Sequence, residues 1–250
     1  MPKLTVTVIT RNESANLAAA LDSVTWADEI VVVDSCSTDD TVEIARRYTG
    51  RVVVRDWPGY SSQKNFAAGE ASHDWILSID ADERVGSELA AEIRALLREE
   101  PPHRGYRVPR VSFYLGRWIR STDWYPDYQL RLYDRRVSRW AGIVHEGVEV
   151  GGTVGRLRAE LQHLPYRDVS HHLQTIDRYT TLAARQMRER GARVGVAGLL
   201  LRPAGAFVRN YVLRAGWRDG PVGLVVSLLN SYYVFLKFVK LWEAGRKSRP

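Results

Sequence analysis

Strand-like and helix-like segments alternate through the first hundred residues, and this alternation constrains the fold more than any other feature of the sequence. The strand-like segments are apolar or β-branched and read KLTVTVIT, EIVVVDS, RVVVRD and DWILSID. A helix-like segment follows each of them. A repeated β-α order of this kind predicts a doubly wound, mainly parallel α/β sheet with right-handed crossovers.

Three polar loops follow strands of this predicted sheet. In open parallel sheets, ligands bind beyond the carboxyl ends of the strands. We therefore expect the loops at residues 10–13, 34–39 and 80–83 to lie together. Asp80 and Asp82 form an Asp-Ala-Asp turn whose carboxylates repel each other unless a cation such as Mg²⁺ or Mn²⁺ joins them. The alternative is a solvated strand end in which Asp82 or Glu83 caps the next helix.

Asp34 ends the strand EIVVVD at the predicted crevice. A carboxylate there can accept a hydrogen bond from the imide of a uracil ring or from a ribose hydroxyl. The alternative, a role at the start of the next helix, suits Ser37 or Thr38 better. The sequence contains neither a GxGxxG motif after the first strand nor a P-loop. A bound nucleotide diphosphate would instead need a metal ion to neutralise it.

The pattern changes after residue 100. The segments GYRVPRVSFYLG, YQLRLYDRR and GIVHEGVEV indicate an antiparallel extension of the same sheet, and residues 151–165 indicate one more short pair of strands. We assign residues 1–165 to one α/β domain with two halves, residues 1–100 and residues 101–165. Residues 166–250 form a helical, basic C-terminal region.

The C-terminal region carries most of the positive charge. Residues 184–250 contain 13 Lys and Arg against 3 Asp and Glu. The longest apolar run there has about 16 residues, fewer than the roughly 20 that span a bilayer. Amphipathic helices lying on an anionic inner leaflet therefore fit better than membrane spans or nucleic-acid binding. The alternative is a pair of helices packed on the domain or in a dimer.

Cellular location is indicated by two absences in the sequence. Cys36 is the single cysteine, so an intrachain disulfide is excluded and a reducing compartment fits. The N-terminus shows no charged segment followed by a long apolar one, as a signal peptide would. We expect a cytoplasmic protein, peripheral at the inner face of the cytoplasmic membrane.

The quoted segments together, with QKNFAAGEASHDWILSIDADERV, resemble the start of a family 2 glycosyltransferase over about residues 3–100. These are inverting nucleotide-sugar enzymes with the GT-A fold. The resemblance implies that residues 1–100 are the nucleotide-binding half and residues 101–165 the acceptor half of the catalytic domain. The later segments YQLRLYDRR and VHEGVEV resemble the acceptor half of the branch that includes lipopolysaccharide core glucosyltransferases. The resemblance implies that the metal motif is Asp80 and Asp82. It implies nucleotide-sugar contacts from Thr10, Arg11, Glu13, Asp34, Lys64, Asn65, Asp80 and Arg131. For Lys64 and Asn65 an ordinary helix surface remains open, and for Arg131 an ion pair with a carboxylate.

The catalytic base is the least constrained part of the prediction. Inverting transfer needs a base to take the proton of the acceptor hydroxyl. Family members usually place an acidic pair in the second half, and this sequence lacks one. Asp127 and Glu146 are the two candidates, with Asp127 favoured because a strand-like segment follows it. Asp127 is also a common turn residue after proline, and Glu146 could equally end a hairpin.

These observations predict an inverting, metal-dependent glycosyltransferase. It would move a hexose from a nucleotide-diphosphate sugar, with a UDP-sugar favoured, to a glycolipid or lipid-linked saccharide such as lipopolysaccharide core. One alternative is a nucleotidyltransferase that makes a nucleotide sugar, although the loop TRNESAN lacks the glycines such enzymes place after the first strand. Another is a non-catalytic scaffold at the membrane surface.

Overall fold

Two units make up the chain in the computed structural model, which describes residues 2–142 and 147–246. The first unit comprises Met1–Val111 and Asp127–His163, and the second comprises Ser112–Pro126 and Leu164–Pro250. The predicted alternation is confirmed in the first unit, whose opening order is β-α-β-α-β-α-β. The α/β class is therefore the one that the sequence predicts.

The strands are numbered in chain order. The first six are β1 (Leu4–Thr10), β2 (Glu29–Asp34), β3 (Val52–Val54), β4 (Trp75–Asp80), β5 (Glu83–Val85) and β6 (Gly105–Tyr114). The others in the described residues are β7 (Arg117–Ile119), β8 (Asp127–Asp134), β9 (Ser138–Ala141), β10 (Gly147–Val150), β11 (Val154–Arg156) and β12 (Leu161–His163). The main sheet has the order β3-β2-β1-β4-β8-β6-β12-β5. Its first four strands are parallel, and β8 runs antiparallel to β4.

Four helices cover the parallel part of the sheet: α1 (Leu17–Asp22), α2 (Thr41–Arg46), α3 (Tyr60–Glu70) and α4 (Ser87–Leu96). The strands between them are buried on both faces, as their continuous apolar sequences predict. Helix α4 buries Leu89, Ala90 and Ile93. These positions are one and three residues apart and therefore form one stripe of the helix, directed at the core.

The predicted antiparallel extension is present, with two differences in strand pairing. Strand β6 pairs with β8, as expected. However, β9 and β10 form a separate two-stranded sheet, so the segment that ends in GVEV does not extend the main one. The expected short pair within residues 151–165 is also wrong. Both short strands are present, but β11 pairs in parallel with β6 and β12 pairs antiparallel with β5, so they do not pair with each other.

The second unit is mainly helical. It contains α5 (Val169–Glu189), α6 (Val196–Val208), a π-helical segment (Arg209–Leu213), a short 3-10 helix (Gly216–Asp219) and α7 (Gly220–Arg246). The backbone packs so closely near the start of α7 that a Cβ on Gly223 would lie 1.8 Å from the carbonyl oxygen of Gly216, so glycine is required there. The helical stretch Gly216–Arg246 has 31 residues and is longer than the apolar run that the sequence shows within it. By length and composition it could cross a membrane.

Buried polar side chains fix the loop at residues 115–125 onto these helices. Asp219 accepts hydrogen bonds from the backbone of Arg120 at 3.0 Å and from the Ser121 hydroxyl at 2.5 Å. Asn210 accepts one from the backbone of Asp123 at 2.8 Å. Because these carboxylate and amide groups are buried, losing a partner would leave them unsatisfied at a cost of about 1–3 kcal/mol each.

Candidate active site

The carboxyl ends of β1, β2 and β4 lie level with one another. In the sheet register Thr10 is opposite Asp34, and Ile9 is opposite Asp80. The Thr10 hydroxyl donates to the Asp34 carboxylate at 2.9 Å. Ser37 donates to it from its backbone N–H at 2.7 Å and from its hydroxyl at 2.5 Å. Asp34 is fully buried by these contacts and joins the first two loops of the predicted site.

Further hydrogen bonds tie the same two loops together. The Asn12 backbone donates to the Ser37 hydroxyl, and its side-chain oxygen accepts from the Thr38 backbone, both at 2.8 Å. The Glu13 backbone donates to the Thr41 hydroxyl at 2.8 Å. The Glu13 carboxylate is partly buried and accepts from Asn16 at 2.9 Å, whereas Arg11 is exposed. This loop is thus held in place while the Arg11 guanidinium stays at the surface.

Two buried cations form ion pairs with the carboxylate of Asp80. Lys64, on α3, places its Nζ 2.9 Å from Asp80 Oδ1, and Arg131, on β8, places Nη2 2.5 Å from Oδ2. Lys64 and Arg131 are 5% and 3% exposed, while a third of the Asp80 side chain is exposed. Burial would raise the pKa of Asp80, but Arg131 and Lys64 hold that pKa far below its usual range. Asp80 is therefore an ionised group at the mouth of the site.

The charge cluster continues from Arg131 to Asp127. The Arg131 guanidinium also donates to the fully buried Glu83 at 2.6 Å, and Glu83 accepts from Arg110 at 2.9 Å. Arg110 in turn donates to Asp127 Oδ2 through Nε at 2.9 Å and Nη2 at 2.6 Å. The other Asp127 oxygen accepts from Gln129 at 2.6 Å. Asp127 is thus the outer, partly exposed end of the cluster.

We call these six residues the ion-pair cluster: Lys64, Asp80, Arg131, Glu83, Arg110 and Asp127. Cations and carboxylates alternate along it, three of each, so the buried charges compensate one another. Glu83 also accepts from the Asp80 backbone at 3.0 Å and so supports the turn after β4. Its role in the turn follows from its position in DADE. Arg110 gives no sequence signal, because only the β6–β8 register places it opposite Asp127.

Asn65 lies next to this cluster but faces the backbone. Its side-chain amide donates to the carbonyl oxygen of Trp140 and accepts from the N–H of Trp140, both at 2.8 Å. Both ends of the amide are therefore used in attaching β9 to α3. Lys64 contacts the same residue, with Nζ 4.4 Å from the Trp140 ring centroid. Thus Lys64 belongs to the site, whereas Asn65 has a structural role in this conformation.

Asp82 differs from Asp80 in its surroundings. Its side chain is 30% exposed, and His163 Nε2, on β12, lies 3.4 Å from its Oδ2. Within residues 2–142 and 147–246, no three His, Cys, Asp or Glu side chains are gathered as a metal site. Mg²⁺ and Mn²⁺ need fewer protein ligands when substrate phosphates and water complete their shell. Asp82, with His163 beside it, fits such a role, whereas both oxygens of Asp80 are engaged by cations.

Of the two candidate bases, only Asp127 lies within the residues that the structure describes. Asp127 lies at the start of β8, whose antiparallel pairing with β4 brings it to the edge of the sheet where β4 ends. Glu146 lies outside the described residues. The site brings together Thr10, Asp34, Lys64, Asp80, Asp82, Arg131 and Asp127 of the residues expected from the sequence.

Comparison with known proteins gives the family and its members. The family model described as Glycosyl transferase family 2 matches residues 5–151. The lipopolysaccharide core biosynthesis glycosyltransferase LpsC of Rhizobium meliloti (strain 1021) is 32% identical over 261 residues, covering 100% of this chain and 97% of that protein. An uncharacterized glycosyltransferase of Rickettsia typhi is 29% identical over 263 residues, covering 100% and 90%.

Among solved structures, the glucosyl-3-phosphoglycerate synthase from Mycobacterium tuberculosis in complex with Mg²⁺ and UDP is similar over 78% of this chain and 81% of that one. The identity is 18% and the TM-score is 0.49. A structure of Staphylococcus aureus TarS is similar over 99% of this chain, at 14% identity and a TM-score of 0.48.

Proposed function

The chain belongs to glycosyl transferase family 2, and we propose that it is an inverting, metal-dependent enzyme that transfers a hexose from a UDP-sugar to a glycolipid. The acceptor class we favour is lipopolysaccharide core, since LpsC, similar along the whole chain, is a lipopolysaccharide core glycosyltransferase. The observation that carries the proposal is the convergence of Asp34, Asp80 and Asp82 at the level ends of three parallel strands.

The donor would lie across these strand ends. Thr10 and Asp34 form the wall on the nucleoside side, and Arg11 is the exposed cation of that loop. Lys64 and Arg131 are cations beside Asp80 at the end of β4, where a diphosphate needs positive charge. A divalent cation held by Asp82, with His163 beside it, would neutralise charge on the leaving diphosphate.

Asp127 is the base we propose. Inversion calls for a general base on the face of the sugar opposite the leaving group, where it accepts the acceptor hydroxyl's proton as the oxygen attacks the anomeric carbon. The two hydrogen bonds from Arg110 and the one from Gln129 fix the orientation of Asp127, while about a third of its side chain stays accessible. Arg110 and Glu83 act through Asp127 and Arg131, as positioning residues.

A membrane surface is the partner we propose for the second unit. Leu200, Leu201, Leu213 and Trp217 are 67%, 71%, 75% and 59% exposed. Between residues 190 and 218 the sequence has six Arg and neither Asp nor Glu. Exposed apolar side chains in a segment whose own charged residues are all Arg suit the headgroup region of an anionic bilayer, although Asp123 pairs with Arg209 and Arg214. This location, at the cytoplasmic face, would bring the enzyme to a lipid-linked acceptor.

The membrane proposal is tested by cosedimentation with vesicles. We expect binding to vesicles with anionic phosphatidylglycerol, weaker binding to neutral phosphatidylcholine, and at least a tenfold loss in the double variant Leu200→Glu/Leu213→Glu, because burying each leucine contributes about 1.5–3 kcal/mol. Leu182→Glu, on the exposed face of α5, is the matched control and should bind normally. Equal binding by all three proteins would refute this surface.

The reaction itself is tested by transfer of sugar to extracted lipopolysaccharide core, supplied with UDP-sugars and Mn²⁺ and followed by mass spectrometry. We expect a mass increase of one hexose and inversion at the anomeric centre. Nucleotide-sugar synthesis from UTP and a sugar phosphate would instead favour the nucleotidyltransferase alternative. Binding of core without turnover of any donor would favour the scaffold.

A further inference from the structure

A cavity of about 190 Å³ lies inside the second unit, between helices α5 and α7. Five of its nine lining residues carry aromatic rings: Trp124, Tyr166, His172, Tyr179 and Tyr233. Trp124 and Tyr166 pack against a buried cluster of Tyr114, Ile119 and Val226, whereas Tyr179 is 46% exposed, so the rings extend from the core to the surface. All nine lining residues belong to the second unit.

The rings are held in a fixed arrangement. His172 stacks on Tyr166 with ring centroids 3.9 Å apart and planes inclined by 14°. The Trp124 ring lies 5.7 Å from His172 and 5.9 Å from Tyr166. His172 Nδ1 lies 3.0 Å from the Tyr114 hydroxyl, which fixes the imidazole further. A preorganised wall of this kind loses little conformational entropy when a ligand binds.

Polar groups among the rings are also held in place. Trp124 donates from its indole N–H to the side-chain oxygen of Asn230 at 3.2 Å, and the Asn230 amide donates to Asn210 at 2.9 Å. A carbonyl oxygen has a second lone pair, so Asn230 retains capacity to accept. Thr175 adds a hydroxyl to the lining. The cavity therefore presents oriented hydrogen-bonding groups beside apolar ring faces.

The chemistry of the lining selects the class of ligand. None of the nine lining residues is Lys, Arg, Asp or Glu. Burial lowers the pKa of His172 to about 4, with His171 adding to the effect, so the imidazole is neutral at pH 7. A phosphate would find no counter-charge here. An alkyl chain would donate nothing to the remaining lone pairs of the Asn230 and Thr175 oxygens, whose own N–H and O–H groups already bond Asn210 and His171. The remaining match is a neutral ligand with apolar faces and polar edges.

Size narrows the ligand further. The cavity far exceeds the roughly 10–15 Å³ that one water needs, but it is smaller than the roughly 300–1,000 Å³ of sites for drug-sized molecules. We propose that this cavity binds a single neutral pyranose ring, with its C–H faces on the Tyr and Trp rings and its hydroxyls at Asn230 and Thr175. Choosing a saccharide rests on the proposed function, in which the ring belongs to the acceptor glycan.

The test is saturation-transfer NMR on the full chain with three methyl hexopyranosides, those of glucose, galactose and mannose. We expect transfer to the ring protons of at least one of them, with a dissociation constant of about a millimolar, as for a ligand of a dozen heavy atoms. Tyr179→Ala removes one wall and Thr175→Trp fills the cavity. Each should weaken binding at least tenfold.

Tyr232→Ala is the matched control, because Tyr232 is 42% exposed on α7 and lies outside the lining. It should bind as the unaltered protein does, and circular dichroism establishes that all variants are folded. Absence of transfer to all three glycosides, or binding unchanged in both cavity variants, would overturn the proposal. UDP calorimetry on the same samples distinguishes failure of this proposal from failure of the proposed function. UDP binding without glycoside binding would refute only the saccharide site.

Discussion

The two units place charge and apolar surface in opposite ways. The first buries charge: Arg131, Glu83 and Lys64 are almost inaccessible to solvent. Arg131 pairs with Glu83, and Arg131 and Lys64 both pair with Asp80. The second exposes apolar side chains, with Leu201 and Leu213 more than 70% accessible. Both arrangements cost free energy in a folded chain in water.

That contrast indicates where each unit meets a ligand. Buried ion pairs are weak sources of stability, because desolvation offsets much of their attraction. We therefore attribute the cluster of six to the proposed substrate site, where perturbed ionisable groups are common. An exposed apolar ridge is explained by a surface that removes it from water. In the function we propose, the first unit binds the nucleotide diphosphate and the second meets lipid and sugar.

The largest expected effect comes from removing one cation from the ion-pair cluster. Arg131→Met leaves Asp80 and Glu83 without their shared cation and should lower the free energy of unfolding by about 3–5 kcal/mol. Denaturant titration measures it. Arg139→Met is the control, because the Arg139–Glu149 pair is 76% and 60% exposed and such pairs contribute about 0–1 kcal/mol. Equal losses in the two variants would contradict the distinction between buried and exposed charge.

The next effect is on catalysis without loss of fold. Asp82→Asn should reduce transfer by about 10²–10³-fold, the cost of losing one group that stabilises developing charge. Its stability should stay close to that of the unaltered protein, since Asp82 is partly exposed and lies outside the cluster. Full transfer in this variant, in the presence of a chelator, would exclude a metal role for Asp82.

A smaller expected effect is a difference between the two units in how their stability depends on pH. Burial lowers the pKa of His172 to about 4 from 6.5, so the unfolded chain binds a proton that the folded chain does not, and stability falls as pH drops from 6.5 towards 4. The loss should reach about 2 kcal/mol at pH 5. Asp80, whose pKa is held low by Arg131 and Lys64, supports the first unit until pH falls below its unfolded value near 3.8.

His172→Gln provides the measurement for this difference. Between pH 8 and pH 5 the variant should lose about 2 kcal/mol less stability than the unaltered protein, as determined by urea unfolding at each pH. Identical pH dependence in both proteins would mean that His172 is not the group that titrates.

The sequence predicts the first unit well because its signals are local. Apolar runs that end in Thr10, Asp34 and Asp80 fix the parallel strands and hence the place where their ends meet. Arg110 could not be found this way, since its partner Asp127 is 17 residues away and their contact depends on the β6–β8 register. Nor could the burial of Lys64, because α3 has no clear apolar stripe that would indicate which side faces the sheet.

In the second unit the sequence predicts the helices and their charge but not their contacts. Trp124 lies within residues 101–165, which the sequence assigns to the α/β domain, yet it packs with Tyr166 and His172 of the helical unit. Hydrogen bonds to Asn210 and Asp219 fix that loop, and each spans more than 80 residues of sequence. Composition carries no signal for such pairings.

The most direct test of the central claim, that the strand ends of the first unit form a metal-assisted nucleotide-diphosphate site, is isothermal calorimetry with UDP in the presence and absence of Mn²⁺. We predict saturable binding of one UDP per chain with Mn²⁺, and at least tenfold weaker binding without it or in Asp82→Asn. Absence of UDP binding under every condition, or equal affinity with and without Mn²⁺ in both proteins, would contradict it.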